Sequence, residues 1–181
     1  MFARLKNLFY IDDPEQLDLK IRYGKVIDDQ FRGINYHYVN LGEYAKLMFG
    51  VIPEQYRKDF AVLRMETNHS VSPHVDSNIL TVINFYIETG NCQTNFFRTK
   101  DGTESFKLPG QTNGSMYKRE SMDRVDGFIS KKHEAWVLDV TIPHSIDPLD
   151  PGPVYRLSLT MQTGKHSFEQ VKEMLAATGN L

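Results

Sequence analysis

Residues 72–77 read Ser-Pro-His-Val-Asp-Ser, and the rest of the chain is interpreted outward from this stretch. His74 and Asp76 are separated by one residue, so on an extended strand both side chains point to the same face. Pro73 disfavours a helical conformation at the residue before it and therefore favours an extended approach to His74. The stretch predicts a strand that presents an imidazole and a carboxylate together.

A second candidate histidine follows an apolar run. Residues 135–142 read Ala-Trp-Val-Leu-Asp-Val-Thr-Ile, which is the pattern of a buried strand, and His144 comes two residues later. Two histidines and one carboxylate occupy one face of a metal ion and leave the other face open, as in non-haem Fe(II) oxygenases. We therefore predict His74, Asp76 and His144 as metal ligands.

Arg156 begins another strand-like segment, twelve residues after His144. Residues 147–153 carry three prolines and one glycine, which predicts a turn between the two segments. On the strand that follows, Arg156, Ser158 and Thr160 share one face. The apolar residues that alternate with them are expected to pack on the opposite face.

The order of these residues resembles the Fe(II)- and 2-oxoglutarate-dependent dioxygenases. Their pattern is His-X-Asp, a distant His, and then Arg-X-Ser, and the resemblance covers roughly residues 60–161. It implies that the three ligands named above bind Fe(II), and that Arg156 binds the distal carboxylate of 2-oxoglutarate with Ser158 or Thr160 as a further donor. It also implies that O2 is consumed, that succinate and CO2 are released, and that a substrate is hydroxylated.

Residues 79–87 are rich in β-branched and aromatic side chains and predict a central strand. Asn84 and Tyr86 have the same parity as the residues of the His-X-Asp motif, so their polar ends are expected to face the same cavity. We name both as candidate contacts of 2-oxoglutarate. Structural hydrogen bonds without a ligand role are the alternative.

The fold class expected is mostly β, or α+β, because short strands alternate with turn signals. The strand and turn pattern leaves a sandwich or another barrel open, whereas the resemblance implies a double-stranded β-helix, the jelly roll, with flanking helices. We predict a single domain over residues 1–181. It comprises a lead-in with helices over 1–58, a jelly-roll core over 59–161 and a C-terminal helix over 167–178, which starts at a capping box.

Three further segments carry weaker signals. Apolar residues at helical spacing predict a helix from Leu41 to Phe49, capped by Asn40 and ended by Gly50. Residues 107–134 are polar and contain one proline and three glycines, so we predict an excursion with one short strand. In an oxygenase such a loop would cover the open face of the metal. Tyr36, Tyr38 and Tyr44 are interpreted as ordinary core residues, with a role in lining a pocket as the alternative.

Size and composition limit the other possibilities. A chain of 181 residues with 40% hydrophobic content suits one core, and a formal charge of −2 gives no basic footprint for nucleic acid or a membrane surface. Cys92 is the single cysteine, which excludes an intramolecular disulfide and favours a reducing, cytoplasmic setting. No stretch has the length and hydropathy of a membrane span. We expect a soluble protein that acts on a small molecule or a peptide.

Two other function classes stay open. A zinc-dependent hydrolase can use three protein ligands and a water, but it has no need for a buried guanidinium at Arg156. A non-enzymatic jelly-roll binding module would explain the fold and leave the three predicted ligands unexplained. Among rival ligands, His69 has the wrong parity and Asp139 has no histidine two residues away. The remaining histidines have no partner pattern: His37, His133 and His166.

Overall fold

The computed structural model describes residues 1–11, 27–29, 34–107, 114–152 and 154–181, with backbone alone for 27–29. The strands in chain order are β1 (Phe2–Arg4), β2 (Ile27–Asp29), β3 (Ile34–Tyr38), β4 (Ala61–Thr67), β5 (Val71–Val75), β6 (Thr81–Glu88), β7 (Cys92–Thr99), β8 (Ser115–Met116), β9 (Met122–Ile129), β10 (Ala135–Asp139), β11 (His144–Pro148) and β12 (Arg156–Thr163). The helices are α1 (Tyr44–Phe49) and α2 (Phe168–Ala177), with 3-10 helices at Glu54–Asp59 and Arg119–Ser121.

The strands form two antiparallel sheets. Within the described residues one sheet has seven strands in the order β1-β10-β6-β12-β4-β3-β2, and the other has five in the order β8-β5-β11-β7-β9. Phe96 and Phe128 of the five-stranded sheet share a buried cluster with Val82 and Tyr86 of the seven-stranded sheet, so the sheets pack face to face. The chain is mostly β, as predicted, and its sheets are arranged as a β-sandwich.

β12 shows how the sequence divides the interior. Leu157, Leu159 and Met161 belong to a buried cluster on the outer face of the seven-stranded sheet, together with residues of both helices. Arg156 and Thr160 point the other way and line a cavity between the sheets. The predicted alternation along this strand is confirmed, and it places an apolar core on one side of the sheet and polar groups on the other.

The helices agree with the predictions in part. α2 begins at the predicted capping box, in which Ser167 Oγ accepts a hydrogen bond from the Gln170 backbone N–H and the Gln170 side chain accepts from the Ser167 backbone N–H. α1 begins three residues later than predicted. Asn40 Oδ1 accepts a hydrogen bond from the Gly42 backbone N–H at 3.2 Å, which holds this segment in a turn in place of a helix cap. Among the described residues, no helix is long and apolar enough to cross a bilayer.

The prediction of one short strand over residues 107–134 was wrong. The segment contains β8 and also β9, an eight-residue strand that pairs with β7 along the edge of the five-stranded sheet. Of its residues only Met122 and Phe128 are buried, because an edge strand with one solvated face carries mostly polar side chains. Residues 108–113, and residues 12–26 and 30–33 of the predicted lead-in, lie outside the described residues.

Glu134 attaches β1 to the sheet and yields a stability prediction. Its buried carboxylate accepts hydrogen bonds from Arg4 Nη1 at 3.0 Å, from the Lys131 backbone N–H at 3.0 Å and from Trp136 Nε1 at 2.9 Å. Burial alone would raise the pKa of Glu134, but these hydrogen bonds outweigh it and hold the pKa below its ordinary value.

We expect Glu134→Gln to lower the free energy of unfolding by about 2 kcal/mol at neutral pH, the scale of a hydrogen bond to a charged group. Because the folded-state pKa lies below the unfolded value, the stabilisation is present above the unfolded value of about 4.3 and is lost as the pH falls through the folded one. The free energies of unfolding of the wild type and of Glu134→Gln, measured by denaturant titration, should therefore become equal in acid. Glu169→Gln, which removes an exposed contact to Lys172, is the control and should cost less than about 0.5 kcal/mol. A difference for Glu134→Gln that does not depend on pH would contradict the prediction.

Candidate functional site

Two strands far apart in the chain bring the predicted histidine ligands together. β5 and β11 are antiparallel neighbours in the five-stranded sheet, and His144 lies directly opposite His74 in their register. The centroids of the two imidazole rings are 4.3 Å apart. His74 and His144 are 2% and 7% exposed as residues, so both rings lie inside the sandwich.

Both rings are oriented in the same way by the backbone. His74 Nδ1 lies 2.9 Å from the carbonyl oxygen of Ser72, and His144 Nδ1 lies 3.0 Å from the carbonyl oxygen of Ile142. A carbonyl can only accept, so each Nδ1 carries a proton and donates it, and in the neutral ring the lone pair is then on Nε2. This is the orientation in which histidines bind metals, with the other nitrogen held by a backbone carbonyl.

Asp76 lies one residue beyond the end of β5. Its backbone N–H donates a hydrogen bond to the carbonyl of Val140 at 3.2 Å, which fixes its position between the two sheets. Asp76 Oδ1 is 3.9 Å from His74 Nε2, and its side chain is 17% exposed. The carboxylate and the His74 lone pair therefore lie on the same side of the site, as the His-X-Asp spacing predicted.

These three residues fit a metal in chemical kind. Two imidazoles with Nε2 lone pairs and one carboxylate are a donor set suited to Fe(II) and also to Zn(II). Across the described ranges, however, no three or more His, Cys, Asp or Glu side chains stand close enough together to hold a metal ion as they are placed. Their role as ligands stays a prediction.

A cavity of about 480 Å³, counted out to its open mouth, lies between the sheets. All three predicted ligands line this cavity, and Arg156 lines it as well. The described residues that complete the lining are Ile34, Tyr36, Met65, Val82, Asn84, Thr94, Leu138, Val140, Ile146, Thr160 and Gln162.

Arg156 is the largest fully buried side chain in the described part of the protein, with an exposure of 1%. Its guanidinium donates Nη1–H to Thr94 Oγ1 and Nη2–H to the carbonyl of Cys92, both at 3.0 Å. A longer contact joins Nε to the carbonyl of Thr89 at 3.4 Å. The guanidinium carbon lies 5.2 Å from the centre of the Tyr86 ring, which supports the cation through its π face.

The partners of Arg156 are neutral. No carboxylate of the described residues lies within ion-pair distance of this guanidinium, although a buried charge is costly without a counter-charge. Three of its five N–H groups have the partners given above, which leaves one N–H on each terminal nitrogen. Thr67 lies opposite Arg156 in the β4–β12 register, and its buried hydroxyl makes no hydrogen bond. An anion placed here would satisfy these groups.

Of the other predicted co-substrate contacts, Asn84 lines the described cavity, whereas Ser158 and Tyr86 do not. Asn84 lines the cavity, and its Oδ1 accepts a hydrogen bond from the Thr160 hydroxyl at 2.8 Å. Ser158 contacts Thr160 at 3.4 Å and lies outside the described lining of the cavity. Tyr86 also lies outside that lining, with its ring against the guanidinium and its buried hydroxyl without a hydrogen bond.

Three polar residues of the cavity were not singled out as site residues from the sequence: Tyr36, Thr94 and Gln162. Thr94 is recognisable only once β7 is known to lie beside β11, where it is opposite Ile146. Gln162 continues the inward face of β12, and this parity was a usable signal. Tyr36, interpreted as a core residue, lines the cavity.

The rival ligands are engaged elsewhere. Asp139 Oδ1 accepts hydrogen bonds from the backbone N–H and the hydroxyl of Thr141, which makes it part of a turn. His69 is exposed. His166 Nε2 lies 3.0 Å from Asp59 Oδ2 on the outer surface, and hydrogen bonds from Lys165 and His166 lower the pKa of Asp59.

Comparisons with known proteins identify no family for this chain: no family model matches it, and no curated protein matches it. The interpretation of its function therefore rests on the residues of the site.

Proposed function

We propose that this protein is an Fe(II)- and 2-oxoglutarate-dependent oxygenase that hydroxylates its substrate. One observation carries the proposal: a fully buried guanidinium without a described counter-charge lies in the same cavity as two histidines whose Nδ1 atoms are held by backbone carbonyls. A zinc hydrolase would account for the two histidines, but it would not explain why the guanidinium of Arg156 is buried in the same cavity. A dicarboxylate that bridges the metal and the guanidinium accounts for both.

We also propose that the sandwich is a double-stranded β-helix. Eight strands are divided between the sheets: β4, β6, β10 and β12 belong to one, and β5, β7, β9 and β11 to the other. Successive strands of this set change sheet at every step except from β7 to β9, which pair with each other in the five-stranded sheet. The first of the eight, β4, pairs with the last, β12, and the second, β5, pairs with the seventh, β11. This nested pairing is the pattern expected of a jelly roll.

In the proposed site, His74, Asp76 and His144 would hold Fe(II) on one face and leave the opposite face open. Fe(II) would supply the redox chemistry with O2 and a point of chelation for the 2-oxo acid end of the co-substrate. The backbone carbonyls of Ser72 and Ile142 keep the imidazole protons on Nδ1, so that neither ring has to reorient or lose a proton when the metal binds.

Arg156 would bind the far carboxylate of 2-oxoglutarate through its two remaining N–H groups, a planar fork that matches a carboxylate. Thr94 accepts a hydrogen bond from the guanidinium and retains its own hydroxyl proton as a donor. The Thr160 hydroxyl fixes the orientation of the Asn84 amide, so that the NH2 group of Asn84 is the end available to a ligand.

The overall reaction balances in atoms and electrons. One oxygen atom of O2 enters a substrate C–H bond as a hydroxyl group, and the other enters succinate. Loss of CO2 from 2-oxoglutarate supplies the two electrons that O2 reduction needs beyond those from the substrate. Burial of the histidines and Arg156 keeps water away from the reacting groups, which strengthens each electrostatic contact.

The proposal is tested by succinate release from purified protein supplied with Fe(II), 2-oxoglutarate and O2. We expect release that requires all three components and that stops when Fe(II) is replaced by Zn(II), since Zn(II) has no redox chemistry. Hydrolytic activity with Zn(II) and no succinate release would contradict the proposal and favour a zinc hydrolase.

A further inference from the structure

The charges in the cavity limit the kind of substrate that can enter it, and this step rests on the proposed function. Among the described lining residues, Asp76 and Arg156 are the only side chains with a fixed charge. The proposed function commits the first to the metal and the second to the co-substrate. A charged substrate group would therefore be buried without a counter-charge, which is strongly unfavourable.

The remaining walls suit a neutral group. Six of the thirteen other described lining residues are aliphatic or thioether side chains contributed by both sheets, which gain from contact with an uncharged group. The members of this apolar wall are Ile34, Met65, Val82, Leu138, Val140 and Ile146.

Gln162 lies where a substrate would pass. Along the inward face of β12, Arg156, Ser158 and Thr160 are buried, whereas Gln162 is half-buried, so the cavity opens toward the Gln162 end. In the described part of the chain the Gln162 amide makes no hydrogen bond. A side-chain amide offers one acceptor and two donors, which complements the N–H and C=O of a peptide bond.

Tyr38 extends the contact surface beyond the cavity. It lies two residues after Tyr36 on β3, so both side chains are on the same face of the sheet, and Tyr36 lines the cavity. Tyr38 is opposite Leu63, and Leu63 is opposite Thr160, which places Tyr38 about 10 Å from β12 at the usual strand spacing. The Tyr38 side chain is 53% exposed on this face.

We infer that the substrate is a neutral residue within a polypeptide. Its uncharged side chain enters the apolar part of the cavity, Gln162 hydrogen-bonds the adjoining peptide bond, and a flanking residue packs on Tyr38, since tyrosines are favoured contacts at protein interfaces. A free amino acid carries an ammonium and a carboxylate, and a nucleotide carries a phosphate. The described lining has no unassigned charge to meet any of these groups.

The test measures succinate release with Fe(II), 2-oxoglutarate and capped peptide libraries in which one central residue is fixed and the flanks are random. We expect libraries with a neutral central residue to stimulate release at least about tenfold more than libraries with Asp, Glu, Lys, Arg or phosphoserine, which corresponds to 1.4 kcal/mol. Free amino acids and nucleotides should not stimulate it. Preferential stimulation by any charged library, free amino acid or nucleotide overturns the inference, and so does a lack of stimulation by every library.

The substrate-free reaction distinguishes the two proposals. Slow succinate release without any library supports the oxygenase, and an inverted or absent library preference then counts against the polypeptide substrate alone. Absence of 2-oxoglutarate binding as well as of succinate release removes the oxygenase proposal itself.

A matched pair of variants tests the surface contact. We expect Tyr38→Ala to raise the KM for the best peptide library by about tenfold, the scale of one well-packed aromatic contact. Tyr10→Ala, which removes a tyrosine of similar 57% exposure that packs on His133 away from the cavity, should leave this KM unchanged. Equal effects of the two substitutions, or none for Tyr38→Ala, would show that Tyr38 does not contact the substrate.

Discussion

His74→Ala and His144→Ala are each expected to abolish tight binding of Fe(II), or of Mn(II) as a redox-stable probe. Each substitution removes one of three proposed protein ligands. The centroids of the two rings are 4.3 Å apart, so both histidines belong to one site and the loss of either leaves it incomplete. Loss of a group that only orients a ligand costs roughly 10- to 100-fold in metal affinity. Loss of a ligand itself should cost more, and metal titration followed by calorimetry measures it.

Two other histidines provide controls for this experiment. His69→Ala removes an exposed side chain, and His166→Ala removes one that pairs with Asp59 on the outer surface. Both variants should bind Mn(II) with the affinity of the wild type. Unchanged stoichiometry and affinity in His74→Ala would remove the metal assignment, provided that its unfolding transition matches that of the wild type.

Arg156→Ala should weaken the binding of 2-oxoglutarate by about tenfold to a hundredfold while the metal stays bound. The guanidinium offers two N–H groups to a carboxylate in a desolvated site, where a charge-assisted hydrogen bond contributes roughly 1.5–3 kcal/mol. At about 1.4 kcal/mol per decade, this energy corresponds to the expected loss. Arg156→Lys should restore part of the affinity, because an ammonium keeps the charge and lacks the fork.

Arg124→Ala is the matched control, since Arg124 lies on β9 and its Nε donates a hydrogen bond to Asn95 at the edge of the sandwich. It should bind 2-oxoglutarate as the wild type does. If Arg156→Ala also binds it normally, the carboxylate site is not at Arg156. Equal loss of metal and 2-oxoglutarate would instead indicate that the sandwich has collapsed, since the guanidinium also joins β12 to β7 through Thr94.

The alternation along β12 could be predicted because a strand buried on both faces must place every second residue on the same side. Likewise, the His-X-Asp spacing was sufficient to place two candidate ligands on one side of a cavity. The direct opposition of His74 and His144 depends on a register between segments seventy residues apart, which periodicity alone does not determine. That register was not predicted; the choice of His144 as third ligand came from its position after a buried strand and from the resemblance of the motif order.

The features that were missed depend on neighbours in space. β9 was overlooked because an edge strand exposes one face and its polar residues resemble a loop. Thr94 gained its place beside Arg156 only through the pairing of β7 with β11. Conversely, Tyr86 and Ser158 have the inward parity that suggested contact with the co-substrate, but neighbouring side chains take that position in the cavity.

The central claim is that one cavity holds a metal and a dicarboxylate together. Its most direct test is a calorimetric titration of 2-oxoglutarate into protein with and without Mn(II), alongside glutarate, which has both carboxylates and lacks the 2-oxo group. We predict that Mn(II) strengthens the binding of 2-oxoglutarate by at least about tenfold and leaves the weaker binding of glutarate unchanged. Equal affinities for the two dicarboxylates in the presence of Mn(II), or no binding of either, would contradict the account.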